Sequence, residues 1–143
     1  MSEVSSIDKP YVEKLANGWV DNVEKLYAFV KDVLKNDKEI GYKTNHSMMM
    51  HEELMEKFGV QPKNVPIFDL YLKKQLIATF KPIGLWVVGA RGRMDIITKE
   101  GSYILVDLGN DESTPIWKVF TPTNRKKSTS FDAQFINKLA HTK

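Results

Sequence analysis

The spacing of apolar residues changes along this chain, and that change restricts its fold more than any other feature. Between residues 9 and 35, apolar side chains recur every three or four positions, which predicts one amphipathic helix. From residue 67 onward, apolar and polar side chains alternate, as in strands that are buried on one face. A long helix followed by a series of strands predicts an α+β fold with two layers.

Local signals mark where the helices begin and end. Asp8 and Pro10 suit the start of the first helix, because an Asp side chain can accept a hydrogen bond from the first turn and Pro lacks a donor that this turn leaves unused. A short second helix is predicted over 48–58, with Gly59 as its terminator. A closing helix is predicted over 131–140.

Strands are predicted in the remaining part of the chain, and their connections are short. The predicted strands cover 67–73, 76–81, 85–90, 93–99, 102–108 and 116–121, and 122–129 is predicted to be a loop. Short connections favour antiparallel neighbours, because a parallel return needs a crossover. We therefore expect residues 1–143 to form a single α+β domain: a long N-terminal helix and a short second helix packed on a five- to six-stranded, mainly antiparallel meander sheet, with a C-terminal helix.

Composition excludes several classes of site. The chain has no cysteine, so disulfides, thiolate zinc sites and thiol catalysis are excluded. No apolar stretch approaches the ~20 residues that cross a membrane, and the N-terminus lacks the basic start and apolar run of a signal peptide. The expected location is cytoplasmic, with no membrane partner.

Basic residues concentrate in the second half of the chain. Residues 65–143 carry 12 Lys and Arg against 7 Asp and Glu. Arg91 and Arg93 flank a glycine in a turn between two predicted strands, and Arg125, Lys126 and Lys127 lie in the predicted loop after a later strand. If both turns lie at one end of the sheet, these five cations predict a surface for an acidic partner, either nucleic acid or an acidic protein. Ordinary solvated turns are the alternative interpretation.

Three acidic residues suggest a different chemistry. Asp95 and Asp107 follow apolar residues on neighbouring predicted strands, with Glu100 in the turn between them. Carboxylates on adjacent strands can hold Mg²⁺ for phosphodiester hydrolysis, and the pattern loosely resembles that of restriction-endonuclease-like nucleases. The sequence departs from that family at Gly109, where the acidic-x-Lys triplet has its lysine. A structural role for Asp95, in an ion pair with Arg93 or with a cation on a neighbouring strand, is the alternative.

No other motif predicts catalysis or a cofactor. The glycines of 84–92 precede a predicted strand, whereas a dinucleotide-binding motif requires a helix there. His46 and His51 are five residues apart, which does not suit one metal on a helix face, and no metal or cofactor is expected. The preferred hypothesis is a non-enzymatic binding module. The alternatives are the metal-dependent hydrolase, small-ligand binding in a pocket between sheet and helix, and a homodimer through apolar helix faces.

Overall fold

The computed structural model describes residues 7–85, 91–109 and 114–141. Three helices and seven strands lie in these ranges. In chain order they are α1 (Lys9–Leu34), β1 (Ile40–Met50), α2 (Glu53–Lys57), β2 (Lys63–Leu72), β3 (Gln75–Gly84), β4 (Arg93–Thr98), β5 (Gly101–Asp107), β6 (Trp117–Thr121), β7 (Asn124–Ser130) and α3 (Ala133–Ala140).

The strands form one sheet in which spatial order equals sequence order, β1 to β7. Every neighbouring pair is antiparallel. This confirms the predicted α+β class and the meander, although the described part of the chain holds seven strands rather than five or six. None of its helices has the length and apolar character that a membrane span requires.

Helix α1 is one continuous element that packs its apolar stripe on the sheet. The Asp8 side chain accepts a hydrogen bond from the backbone N–H of Tyr11 at 3.0 Å, so the predicted helix start is confirmed. The Tyr27 hydroxyl donates to the backbone oxygens of Pro66 (2.7 Å) and Phe80 (3.3 Å). Burial, followed by the nearby charge of Asp69, raises the pKa of this hydroxyl, which therefore stays a donor. The bonds fix the helix across β2 and β3.

The predicted helix over 48–58 is wrong in its first half. Residues Met48–Met50 belong to β1 and pair with β2, so only Glu53–Lys57 is helical. Unbranched methionine side chains fit a strand as readily as a helix, and the pairing with β2 decides between the two. The terminator is confirmed, because Gly59 has a φ of 71°.

The predicted loop over 122–129 is also wrong. Apart from a turn at its start, this segment is β7, an edge strand without any apolar residue. An edge strand with little to bury has no apolar alternation, so the sequence pattern cannot report it. Of the predicted strand 85–90, residues 86–90 lie outside the described ranges, and Gly84 is the last residue of β3.

One face of the sheet packs against α1 and α3, and alternation decides which side chains reach it. In β4, Met94 and Ile96 are buried beneath the helices, so Asp95 projects from the opposite face. In β5, Leu105 pairs with Met94 and lies on the covered face, which Asp107 shares. Two carboxylates on adjacent strands thus belong to different faces.

The antiparallel order also sorts the connections between two ends of the sheet. We call the end with the β3–β4 and β5–β6 connections the arginine end, since Arg91 and Arg93 lie there. The opposite end holds the β2–β3, β4–β5 and β6–β7 hairpin turns, and we call it the lysine end. The chain enters α3 at the arginine end, where Phe131 N donates to Trp117 O at 3.3 Å.

Candidate anion-binding sites at the two ends of the sheet

The two basic turns singled out in the sequence lie at opposite ends of the sheet. Three antiparallel strands, β4, β5 and β6, separate the β3–β4 connection from the β6–β7 turn. An odd number of antiparallel strands reverses the end at which the chain emerges. Arg91 and Arg93 therefore do not join Arg125, Lys126 and Lys127 in one surface, and the condition for a five-cation site is not met.

At the arginine end, Arg91 is engaged by a buried carboxylate. Its Nε donates to Asp107 Oδ2 at 2.6 Å, and the two side chains are 17% and 1% exposed. The other carboxylate oxygen, Asp107 Oδ1, accepts from the backbone N–H groups of Gly109 and Ile116, each at 2.9 Å. Arg91 thus neutralises a carboxylate that also organises the start of β6, which is a structural role.

A bulge and a close aromatic contact hold Arg91 in this position. Arg91 N donates to Asp107 O at 3.0 Å, and Asp107 N donates to Gly92 O at 3.1 Å. Arg91 and Gly92 therefore both lie opposite Asp107, which defines a β-bulge. A Cβ atom on Gly92 would lie 2.3 Å from the Trp19 ring. Glycine is required there because the α1 indole packs directly on the backbone, and the bulge turns Arg91 toward Asp107.

Arg93 is also paired, but nearer to solvent. Its Nε donates to Asp95 Oδ1 at 3.0 Å and its Nη2 to Asp95 Oδ2 at 3.4 Å. The side chains are 38% and 19% exposed. This is the structural pairing that the sequence offers as the alternative role for Asp95, and it leaves Arg93 less available to an external anion.

The three carboxylates of the hydrolase hypothesis are not brought together. Asp95 and Asp107 lie on different faces of the sheet, and each is paired with an arginine. Glu100 lies in the β4–β5 turn, at the other end of both strands. Within the described ranges, no group of three or more His, Asp or Glu side chains is placed to hold a metal ion.

The lysine end carries cations on all three of its hairpins. Lys73 and Lys74 form the β2–β3 turn, Lys99 lies in the β4–β5 turn, and Arg125–Lys127 follow the β6–β7 turn. Successive turns are two strands apart, or about 10 Å, because neighbouring strands are spaced by about 4.8 Å. The cationic side chains are exposed, and Lys73 is in an ion pair with Glu39, at 3.8 Å. In the portion of the chain described, the other five form no ion pair.

The β2–β3 turn has an unusual backbone. Lys73 and Lys74 have φ angles of 50° and 69°, the conformation that tight hairpin turns impose on both central residues. Asn-Gly is the usual sequence for such a turn, since Gly has no Cβ and Asn tolerates this conformation, whereas other side chains cost roughly 1–2 kcal/mol there. Two consecutive lysines keep two charges at the tip at the expense of strain.

A further polar cluster lies on the sheet face away from the helices. Asp69 is 7% exposed, and its carboxylate accepts from Thr79 Oγ1 at 2.8 Å and lies 3.0 Å from His46 Nε2. Within the described residues, no hydroxyl group is bonded to the other ring nitrogen of His46, so Thr79, Asp69 and His46 do not form a catalytic triad. The cluster is not apparent in the sequence, because His46 and Asp69 lie on strands whose pairing was not predicted.

Comparison with known proteins finds no matching family, no similar curated protein and no similar solved structure. The function of this chain must therefore be inferred from the geometry of its own residues. That geometry separates one end whose arginines are paired with aspartates from another whose cations are exposed.

Proposed function

We propose that this protein is a non-enzymatic binding module whose lysine end contacts nucleic acid. The observation that carries the proposal is the alignment of three cationic hairpins along one end of the sheet. Six side chains contribute positive charge: Lys73, Lys74, Lys99, Arg125, Lys126 and Lys127. Glu100 is the one carboxylate within the same three turn segments. A row of cations on two turns and on the first residues of β7 suits a phosphate backbone, which is a regular row of negative charges.

Exposure of these side chains favours an external partner. Lysine ammonium groups bind phosphate as point charges and need no fixed geometry. Five of the six cations have no carboxylate partner within the described residues, so an incoming phosphate displaces water and counterions rather than an internal ion pair. Among the described residues of the arginine end, Arg91 and Arg93 are held by Asp107 and Asp95 and do not offer such a surface.

Edge protection accounts for only part of this charge. Lysines on an edge strand prevent pairing with other sheets, and this explains Lys126 and Lys127 on β7. It does not explain Lys74 or Lys99, because β2 to β5 are interior strands with neighbours on both sides. Edge protection therefore leaves the cations on the interior hairpins unexplained, whereas binding of a polyanion accounts for them.

The test is the binding of fluorescent single- and double-stranded DNA at several salt concentrations. The triple variant Arg125→Gln, Lys126→Gln and Lys127→Gln should weaken binding for all sequences, and the slope of log K against log salt should fall by about one per lost phosphate contact. The matched control removes three exposed cations of α1, through Lys9→Gln, Lys14→Gln and Lys25→Gln, and should bind as the parent does.

If both triple variants lose the same DNA affinity, binding depends on net charge alone and the lysine end is not the site. Absence of binding to either DNA at low salt would overturn the nucleic-acid proposal. If the protein binds polyglutamate but not DNA, its partner is an acidic protein surface and not nucleic acid.

A further inference from the structure

A cavity of about 410 Å³ opens at the lysine end, between the sheet and α3. Its volume lies in the range of small-molecule sites, roughly 300–1,000 Å³. The β2–β3 hairpin, the β4–β5 turn and the last turn of α3 surround it. The proposed nucleic-acid surface shares Lys73 and Lys99 with the rim of this cavity but does not use its apolar interior.

The walls of the cavity are mainly apolar. Five large side chains line it: Leu72, Leu76, Ile77, Tyr103 and Leu139. Leu76 is 55% exposed although it is aliphatic and faces this space. Tyr103 is held in place from behind by Phe135 of α3, with ring centroids 5.5 Å apart at 78°. An occupant with an apolar body would remove the Leu76 surface from water, which is favourable in proportion to the area buried.

The rim of the cavity is charged, and the residues that line it include one more cation than acids. Lys73 and Lys99 line it together with one acid, Glu100. The Lys73 ammonium group is 3.8 Å from Glu39 Oε2, a loose contact between side chains that are 69% and 59% exposed. Such a contact contributes little and leaves the ammonium group able to reorient toward another anion.

The backbone of the β2–β3 turn is a second, independent observation at the same place. Lys73 lines the cavity while its φ is 50°, and Lys74 beside it has a φ of 69°. Left-handed residues other than glycine, asparagine or aspartate are uncommon, and strained positions cluster at ligand sites. The Lys73 N–H donates to Glu39 O at 2.8 Å, which fixes the turn over the cavity.

From these features we infer that the cavity binds a small amphipathic anion, with an apolar body among the leucines and a carboxylate at the lysine rim. The inference does not rest on nucleic-acid binding. Arg125, Lys126 and Lys127 do not line the cavity, and a nucleic acid does not need its apolar walls.

The experiment titrates the intact protein with octanoate and follows backbone amide resonances by NMR. We expect saturable shifts at cavity residues such as Thr98, Leu76 and Leu139, while residues at the arginine end stay unchanged. Octanol tests the apolar contribution alone, and octylammonium reverses the head charge. Octanoate should bind tightest and octylammonium weakest, because the rim has more cations than acids.

Two variants and two controls locate the determinants. Leu76→Gln should weaken octanoate binding about tenfold, since part of the apolar wall is lost. Leu108→Gln is its control, because Leu108 is 46% exposed and lies outside the cavity. Lys99→Gln should remove the preference for octanoate over octanol, whereas Lys126→Gln should keep it.

Three results would overturn the inference: no saturable shifts, shifts that map outside the cavity, or equal affinity for octanoate and octanol in the parent protein. The triple variant of Arg125, Lys126 and Lys127 should bind octanoate as the parent does. That result distinguishes a failure here from a failure of nucleic-acid binding.

Discussion

The two ends of the sheet use positive charge in different ways. At the arginine end, Arg91 and Arg93 bond to Asp107 and Asp95, and the Arg91–Asp107 pair lies among buried groups. At the lysine end, the cations lie on turns and at the start of β7, and they contact mainly solvent. The planar guanidinium group suits fixed, directional bonds to carboxylate, whereas the ammonium group keeps its hydration on a flexible stem. Positive charge in a sequence therefore indicates an anion site only when no internal carboxylate is bound to it.

Asp107→Ala should give the largest effect that tests this contrast. It leaves the Arg91 charge without its partner and two backbone N–H groups without an acceptor, so we expect a loss of about 3–5 kcal/mol in the free energy of unfolding. Denaturant unfolding followed by circular dichroism measures it. Asp95→Ala, which breaks the more exposed pair, should cost about 0–1 kcal/mol. Equal losses in the two variants would remove the distinction between a buried and a surface pair.

Gly92→Ala should give the next largest effect. The added Cβ would lie 2.3 Å from the Trp19 ring, so the helix or the bulge must shift, at a cost of about 1–3 kcal/mol. Gly18→Ala is the control, because a Cβ there meets no atom within 4 Å and the helix interior should gain about 0.5–1 kcal/mol. Thermal unfolding measures the stability of both variants. An unchanged melting temperature for Gly92→Ala would contradict the packing described for the arginine end.

Lys74→Gly should change stability in the favourable direction at the lysine end. Glycine adopts the φ of 69° without strain. After the entropy cost of glycine is subtracted, the net gain in the free energy of unfolding is about 0.5 kcal/mol. Lys99→Gly removes the same charge where no positive φ is found, so it should lose stability by a similar amount. Opposite signs in denaturant unfolding would establish that the β2–β3 turn is strained, and equal signs would show that it is not.

The smallest effect concerns the ion pair that attaches α3 at the lysine end. His141 Nδ1 lies 2.8 Å from Asn137 O, and Nε2 lies 2.7 Å from Asp37 Oδ2. Both nitrogens face acceptors, which favours the imidazolium, so the bonds to Asn137 and then to Asp37 raise the His141 pKa above its usual 6.5. The bond from His141 and then the Glu39 N–H lower the pKa of Asp37 below 3.8.

These shifts predict a pH dependence with a definite sign. The His141 contribution is complete below pH 6.5 and is lost as the pH rises through the raised pKa, whereas that of Asp37 is present above pH 3.8 and is lost in acid. An NMR titration should show that Asp37→Asn lowers the His141 pKa and that Asp32→Asn, outside the pair, leaves it unchanged. If Asp37→Asn leaves the His141 pKa unchanged, the pairing of the two side chains is contradicted.

The sequence predicts the elements that bury a patterned face and misses those that do not. α1 and the start at Asp8 follow from apolar spacing and capping chemistry, and both are confirmed. β7 has no apolar residue, and the methionines of β1 fit either kind of element, so only the pairing between strands defines them. Edge strands are the part of a sheet that a sequence pattern reports least.

The opposite placement of the two basic turns follows from a count that the sequence already permits. Three predicted strands, 93–99, 102–108 and 116–121, separate the turns, and an odd number of antiparallel strands ends at the far side. The pairing of Arg91 with Asp107 is different in kind. It depends on a bulge and on the Trp19 contact with Gly92, which require three-dimensional packing to appear.

The strict neighbour-to-neighbour order of the sheet has a consequence for biosynthesis. Each hairpin can close as soon as its second strand leaves the ribosome, because every partner is the next strand in the chain. α1 is the exception: its stripe packs on β2 and β3, and Gly84 follows Leu34 by 50 residues. At a synthesis rate of about 5–20 residues per second, β2 and β3 are complete only several seconds after α1. During that interval a row of eight side chains that are buried in the folded protein is open to chaperones.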